Sequence, residues 1–575
     1  MEFASTTDGR VLSGTSHGGH VLVEEEPSAE AAQLAATQEG ITVVDEPVSD
    51  AAFVDGTTPF GYLFTDLQAQ FPDKHLPDDD PAAVVAALKA LGSAMVEDPP
   101  PPEDPLQPVD NSIIPPIYTY WGQFLDHDLT ANTDRDSAVS DITRPDLVPL
   151  HPDHVLENLR NLRQPAVNLD SVYGDGPTFP GQPPTQAGEF YDGIRFKVGS
   201  AATETNDGEP IAGARIPPED DLRRDLPRVD RIAQIGDDRN DENLIVAQLH
   251  LAFLRFHNAV VDWVVANEPD HADDPAVFAR ARQLVRWHYQ WLVVHDFLKT
   301  VTLPGVADQV LLGGNRHFAP RDRELFMPLE FAVATYRFGH SMVRAVYDFN
   351  RNFGRPGTNV LPNAGFDLLF LFTGQSPTPF GGSTNVLPFN WIIEWDRMVD
   401  KGDPFPDHFA RRIDTRVAPP LRDLVNQGND PDLPERIREI LKRLATRNLL
   451  RGYLLAIPTG QSVAEALGVP ALSAAELQEG NSPIVNDALA EGGFVERTPL
   501  WYYMLKEAEV RANGNSLGEV GSRVVCETVI GEIRFDPDSY LGQPGGWTPA
   551  QGVRLPNGDL IVTIKDLLRF ATVLP

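Results

Sequence analysis

Apolar residues recur at helical spacing in several long stretches of the chain. The first is Pro81-Ala82-Ala83-Val84-Val85-Ala86-Ala87-Leu88, a predicted helix with proline in its opening turn and Asp80 as its cap. The second runs from Tyr118 to Thr130, just after Pro115-Pro116. There Tyr120, Phe124 and His127 fall on one face, and Gln123 lies one turn before His127. A third opens with Asp237-Asp238-Arg239-Asn240-Asp241-Glu242-Asn243 and continues through Leu244 to Leu251; aspartates at its start suit the helix dipole. Asp274-Pro275 starts another helix, running towards Val294. Val333, Tyr336, His340 and Val343 make a stripe at helical spacing, predicted to be one buried helix face. Residues 350–400 are rich in Gly, Pro and Asn, and read as an irregular surface excursion that walls an access channel.

The ends and connections read differently. Residues 1–57 are polar, acidic and lack clear periodicity, so they are expected to form a loosely ordered arm, with Ile41-Thr42-Val43-Val44 as one short strand. His17 and His20 belong to this arm and read as tail residues. Residues 58–575 are expected to form one large, mainly α domain without an internal repeat. The Pro/Glu/Asp tract from Asp98 to Pro108 reads as a surface connection, and Lys401-Gly402-Asp403 as a charged turn.

Composition narrows the function. The chain has 575 residues and a formal net charge of −36, which disfavours nucleic acid and anionic membranes as partners. Cys526 is the only cysteine, so no internal disulfide can form. No stretch reads as the ~18–20 apolar residues of a membrane span. The first residues show no basic segment followed by an apolar run, which favours a cytoplasmic location and leaves unconventional export open.

Four groups of residues carry candidate chemistry. His127 is flanked by Asp126 and Asp128, with Gln123 beside it. Arg239 and Glu242 stand three apart and point to one side, as a solvated ion pair would also do. Gln164, Asn168 and Asp170 place oxygens along Gln164–Gly174, a pattern that fits a hard cation or an ordinary Asx turn. His340 sits one turn after Arg337, and Asn448 follows in Ala445-Thr446-Arg447-Asn448. His257 and His288 recur among apolar residues and read as packing.

The stretch Trp121-Gly122-Gln123-Phe124-Leu125-Asp126-His127-Asp128-Leu129-Thr130 resembles the distal-histidine helix of the peroxidase–cyclooxygenase superfamily, the animal-type haem peroxidases, and the chain is similar to a bacterial-type member. Arg337-Phe338-Gly339-His340 resembles the family's proximal motif, and Arg239 with Glu242 its catalytic arginine and haem-linking glutamate. Thr498–Ala508 and Gly521–Val525 extend the likeness, which covers roughly residues 58–545. The resemblance implies a haem-peroxidase domain holding haem b, with His340 as iron ligand, Asn448 behind it, and Arg337 on a propionate. It also implies His127 as acid–base, Arg239 as electrostatic partner and Gln123 as holder of a distal water. Asp126 and Glu242 match the acids that form ester links to haem. Asn243 stands where some halide-oxidising members carry a methionine, so that further link cannot form.

In the family a calcium loop uses positions matching Asp128, Gln164, the Ala166 carbonyl, Asn168 and Asp170. Here Gln164 replaces Thr and Asn168 replaces Asp, which removes ligand strength and one charge. The implied activity is oxidation of a phenolic, aromatic or halide donor by hydrogen peroxide through a ferryl state. Two alternatives stand beside it: a haem-dependent fatty-acid dioxygenase of the same superfamily, and a non-catalytic adhesion or binding protein. The dioxygenases carry a radical-forming tyrosine three residues before the proximal histidine; Arg337 stands there, and Tyr336, one residue out of register, is expected on another face. The donor and the oligomeric state are not legible in the chain.

Overall fold

The computed structural model describes residues 11–15, 19–23, 58–97, 111–134, 141–161, 163–218, 221–271, 273–320, 324–354, 361–362, 364–400, 409–424 and 427–575. Helices dominate them, and local chemistry starts several of these. Helix α1 (Pro81–Ala94) begins where the Asp80 carboxylate accepts the Ala83 N–H at 3.1 Å. Helix α2 (Ile117–Leu129) follows the proline pair. Helix α3 (Leu244–Asn267) is capped by Asn243, whose side chain accepts the Val246 N–H at 3.0 Å. Helix α4 (Asp274–Leu292) is capped by Asp273 and runs through a single π-turn at Val293–Phe297 into Leu298–Val301. Helices α5 (Leu444–Leu454), α6 (Leu500–Ala512) and α7 (Glu519–Phe535) complete the frame of the site.

The core fixes α2 against α3 and α4. Phe124 stacks on Phe253 at 4.7 Å between ring centroids, and Trp121 packs against both Phe253 and Tyr289. All four are buried; each such ring removes on the order of 150–250 Å² from water. Helix α3 is long and apolar enough to cross a membrane by length and composition, contrary to the expectation for the chain, but 83% of its apolar window is buried inside the protein. That pattern belongs to a core helix.

The strands are short. Strands β1 (Val11–Thr15) and β2 (Gly19–Val23) form an antiparallel hairpin inside the segment expected to be a loosely ordered arm. Strands β3 (Thr58–Gly61), β4 (Asn132–Asp134), β5 (Leu159–Asn161) and β6 (Met327–Pro328) form one sheet in the order β6-β3-β5-β4. Within it β6–β3 is parallel and the other pairs are antiparallel.

Two expectations need correction. The stripe from Val333 to Val343 is not one helix. It breaks at Ala334 (φ −129°, ψ −78°) into Leu329–Val333, Thr335–Phe338 and Gly339–Met342. The segment 350–400 is irregular but not superficial: Phe353 and Phe372 stack on Trp391 at 3.7 and 3.8 Å, and Phe389, Ile392, Ile393 and Trp395 are buried. Aromatic and aliphatic residues scattered between glycines and prolines supply that core without any periodic signal. Ile41–Val44, His17, Asp98–Pro108 and Lys401–Asp403 lie outside the described residues.

Candidate functional site

Helix α2 and the broken segment after β6 face each other across a cleft of about 610 Å³, counted to its open mouth. From α2 come Tyr118, Thr119, Gly122, Gln123, Asp126 and His127; opposite stand Tyr336, Arg337, Gly339 and His340. The face of α2 towards the cleft is therefore rotated from the stripe read in the sequence, since Tyr120 and Phe124 point into the core. The breaks around Ala334 also bring Tyr336 onto the cleft wall, contrary to its expected orientation. Its hydroxyl donates to the Gly122 carbonyl at 3.1 Å.

The two histidines are held alike. His127 Nδ1 lies 2.9 Å from Asn240 Oδ1, so an Nδ1–H donates to that oxygen and Nε2 is left as the basic atom. His340 Nδ1 lies 2.9 Å from the carboxamide nitrogen of Asn448. Turned with its oxygen inward, that amide accepts an Nδ1–H and leaves the ring's lone pair on Nε2. Burial pushes the His127 pKa down to about 4, with Arg239 adding to the effect, so the ring is neutral at physiological pH.

Around His127 the contacts form a closed network. Gln123 donates to Glu242 at 2.5 Å and accepts from Asn243 at 3.0 Å. Glu242 Oε1 lies 3.9 Å from His127 Nε2, and burial raises its pKa well above the usual range. Asp126 lines the cleft and accepts the Thr130 hydroxyl at 2.9 Å. Glu242 is held behind Gln123 and is not part of the cleft wall. Arg239 donates to the His127 carbonyl at 3.0 Å and to Asp237 at 2.7 Å; its Nη1 is buried and has no hydrogen-bond partner. Arg337 is buried in the opposite wall, its Nε donating to the Ala332 carbonyl at 2.9 Å.

Sequence reasoning passed over Asn240, Asp237 and Arg163. Asn240 sits between Arg239 and Glu242, both already singled out, and its type alone offered the signal. Arg163 could not be found from sequence, because its side-chain partners, Asp170 and Asp237, lie far apart in the chain.

The loop 164–174 is organised around protein groups. Asp128 is fully buried; it accepts from Leu169 N–H at 3.0 Å and from the Ser171 N–H and hydroxyl at 3.4 and 3.1 Å. Asn168 spends its oxygen on the Asp170 N–H and its amide on Gln164. Gln290 donates to the Val167 carbonyl at 3.1 Å and, more distantly, to that of Ala166. These bonds hold Val167 and Leu169 at positive φ (48° and 61°), strained values for branched side chains. One Asp170 oxygen accepts no hydrogen bond and lies 3.8 Å from Arg163, which also pairs with Asp237. Burial and the neighbouring Asp128 raise the Asp170 pKa to about 7. Two buried carboxylates of this kind invite a cation, and the arginine stands there.

A calcium ion needs six to eight oxygens. No cluster of three or more His, Cys, Asp or Glu converges among the described residues, and most oxygens of this loop are already committed to N–H groups. As arranged here, N–H groups and Arg163 satisfy these carboxylates in place of an ion. Chelation is therefore expected to leave the melting temperature unchanged. Arg163→Ala should instead lower stability by on the order of 3 kcal/mol, because it strips a partner from buried Asp237. Calorimetry of both samples, with elemental analysis, checks this; bound calcium and a chelator-sensitive melt would restore the ion.

Comparison with known proteins agrees with this geometry. The sequence profile of the animal haem peroxidase family matches residues 195–366, which include Arg239, Glu242, Arg337 and His340. A peroxidase-like protein of Margaritifera margaritifera is 26% identical over 348 residues; the match spans 56% of this chain and 41% of that protein. Peroxidase A from Dictyostelium discoideum aligns in structure with a TM-score of 0.50 at 15% identity, over 84% of this chain and 88% of the other. The fatty acid α-dioxygenase of Arabidopsis thaliana aligns with a TM-score of 0.52 at 12% identity, over 90% and 82%. At such identities the structural likeness speaks to the fold alone. Two histidines facing across one cleft accompany this likeness: over residues 195–366 the chain is similar to the animal haem peroxidase family.

Proposed function

We propose that this protein is a haem peroxidase that uses hydrogen peroxide to oxidise a small phenolic, aromatic or halide donor. One observation carries the reading: His127 and His340 face the same cleft from opposite walls, each with Nδ1 tied to a carboxamide. The residues present fit a haem. A Cβ built on Gly339, beside His340, would meet nothing within 4 Å, so the wall there is open space. Arg239 Nη1 is a buried donor with no partner in the protein.

His340 Nε2 would ligate the iron, and the hydrogen bond from Nδ1 to Asn448 would raise its basicity. Arg337 would pair with a propionate. Bound haem would supply the redox centre that takes two oxidising equivalents from peroxide and returns them singly. His127 Nε2, neutral at physiological pH, would take a proton from one peroxide oxygen and deliver it to the departing one. Arg239, locked by Asp237 and always charged, would offer Nη1 to the negative charge that develops. Gln123 keeps one amide N–H free of Glu242 and would orient a water or small donor.

Covalent attachment is expected through Asp126, the acid on the cleft wall; Glu242 would first have to leave Gln123. The test is one experiment on the haem-loaded protein. Peroxide should change the haem spectrum and a phenolic donor should restore it, with turnover. Acidified organic solvent should afterwards leave haem on peptides containing Asp126. An unresponsive spectrum rejects the peroxidase; complete extraction rejects only the ester.

Tyr336 on the cleft wall favours one further reading, oxygenation of a fatty acid. Oxygen uptake with a fatty acid would support it, and its absence beside peroxide turnover would remove it.

A further inference from the structure

Two phenols, Tyr118 and Tyr336, line the cleft, and their hydroxyls meet different partners. Tyr336 donates to a peptide carbonyl, that of Gly122. Tyr118 donates to the Asp296 carboxylate at 2.6 Å, a short, charge-assisted bond. The difference matters for redox chemistry. A phenol that loses an electron becomes a strong acid, so the electron leaves readily only where a base takes the proton. A carboxylate can hold that proton, whereas a peptide carbonyl is a far weaker base.

Asp296 is built into this position. It lies on the π-turn Val293–Phe297 that interrupts the helix after α4, and such single-turn bulges mark functional positions often. Its second oxygen accepts the Ile564 N–H at 2.6 Å, which aims the first at Tyr118. The Thr300 hydroxyl satisfies the Asp296 carbonyl at 2.8 Å, stitching the bulge into the helix. Burial raises the pKa of both groups, and for Tyr118 the neighbouring Asp296 adds to it, so the phenol keeps its proton; the two donors, Tyr118 O–H and Ile564 N–H, hold Asp296 as the acceptor. Asp566 and Asp400 are the other acids felt at the pair. A purely structural role would need only a bond clamping the bulge to α2; a backbone acceptor would serve that as well.

We propose that Tyr118 and Asp296 form a proton-coupled redox pair through which oxidising equivalents leave the haem. This rests on the peroxidase reading. Tyr118 gives one electron to the peroxide-oxidised haem as its hydroxyl proton moves to Asp296, leaving a neutral tyrosyl radical and a carboxylic acid. A phenolic donor then gives one electron to Tyr118, Asp296 returns the proton, and the donor's own proton goes to water. The net change is one electron from donor to haem, and Tyr118 and Asp296 are restored.

The test uses haem-loaded full-length protein mixed with one equivalent of peroxide, without donor. Samples are frozen within milliseconds for electron paramagnetic resonance, while absorption follows the haem in the same mixing. The wild type should show a tyrosyl signal that narrows when the protein carries ring-deuterated tyrosine. Tyr118→Phe and Asp296→Asn should each cut that signal at least about fivefold, and Tyr336→Phe should retain it. A signal undiminished in Tyr118→Phe, or lost only in Tyr336→Phe, overturns the assignment while the haem response leaves the peroxidase intact. Haem absorption that ignores peroxide in the wild type overturns both. Thermal melts of the two variants separate loss of the clamp from loss of the radical, since a structural bond moves the melt and not the signal.

Discussion

His340→Ala protein should fold yet fail to hold haem in a histidine-ligated, five-coordinate form. The cleft would remain, because its walls rest on the core between α2, α3 and α4 and on the bond from Trp501 to the Arg337 carbonyl. The loss would be of the one imidazole on that wall whose Nδ1 already has a partner. Asn448→Leu separates ligand from support. It keeps His340 and removes the acceptor, and second-shell losses of this kind typically cost about 10–100-fold in affinity. Haem titration of the apoprotein, read by absorption, should therefore rank wild type, Asn448→Leu and His340→Ala in that order. Unchanged affinity and spectrum in His340→Ala would remove the proximal assignment and with it the proposed reaction.

How much of this was written in the sequence depends on how local each feature is. The caps at Asp80 and Asn243 and the start at Asp273–Asp274 involve neighbours along the chain, so the helix starts could be read there. The placement of His127 and His340 on one cleft was legible because their flanking residues carry a pattern. What failed was geometry set by distant contacts. The stripe from Val333 to Val343 has helical spacing, but the backbone breaks at Ala334, and the break puts both Tyr336 and His340 on the cleft. Periodicity cannot report a kink that leaves the spacing of side chains nearly intact. The cluster around Trp391 was invisible for the opposite reason: its rings are packed by long-range contacts inside an aperiodic segment. Arg163 joins Asp170 to Asp237 across 67 residues, and no local pattern marks such a bridge. The Tyr118–Asp296 pair spans 178 residues and depends on a helical irregularity with no clear sequence signature.

His127→Ala should slow the reaction of the haem protein with peroxide by about 10²–10⁴-fold, the usual worth of a positioned acid–base group. The size follows from what the side chain has to do. Peroxide is a weak acid, and its far oxygen is a poor leaving group unless a proton reaches it. One imidazole nitrogen serves both steps, and the Asn240 bond fixes which nitrogen that is. The direction of the pH dependence follows from burial. A free histidine titrates near pH 6.5, whereas burial and Arg239 lower His127 to about 4. The neutral ring is the base, so the peroxide rate should be flat near neutrality and fall as the pH drops through about 4. Asn240→Ala should weaken the rate, since the ring loses its tether, and should move that limb to lower pH, because the acceptor that favours ring protonation is gone. Arg239→Ala should slow the same step by removing the charge beside the developing anion, and should move the acid limb to higher pH, because a cation that opposes ring protonation is gone. Stopped-flow absorption across pH measures all four proteins on one scale. The His127→Ala profile should lose the acid limb entirely. If that limb survives in His127→Ala, or the rate falls less than about tenfold, another group moves the proton and the distal assignment fails.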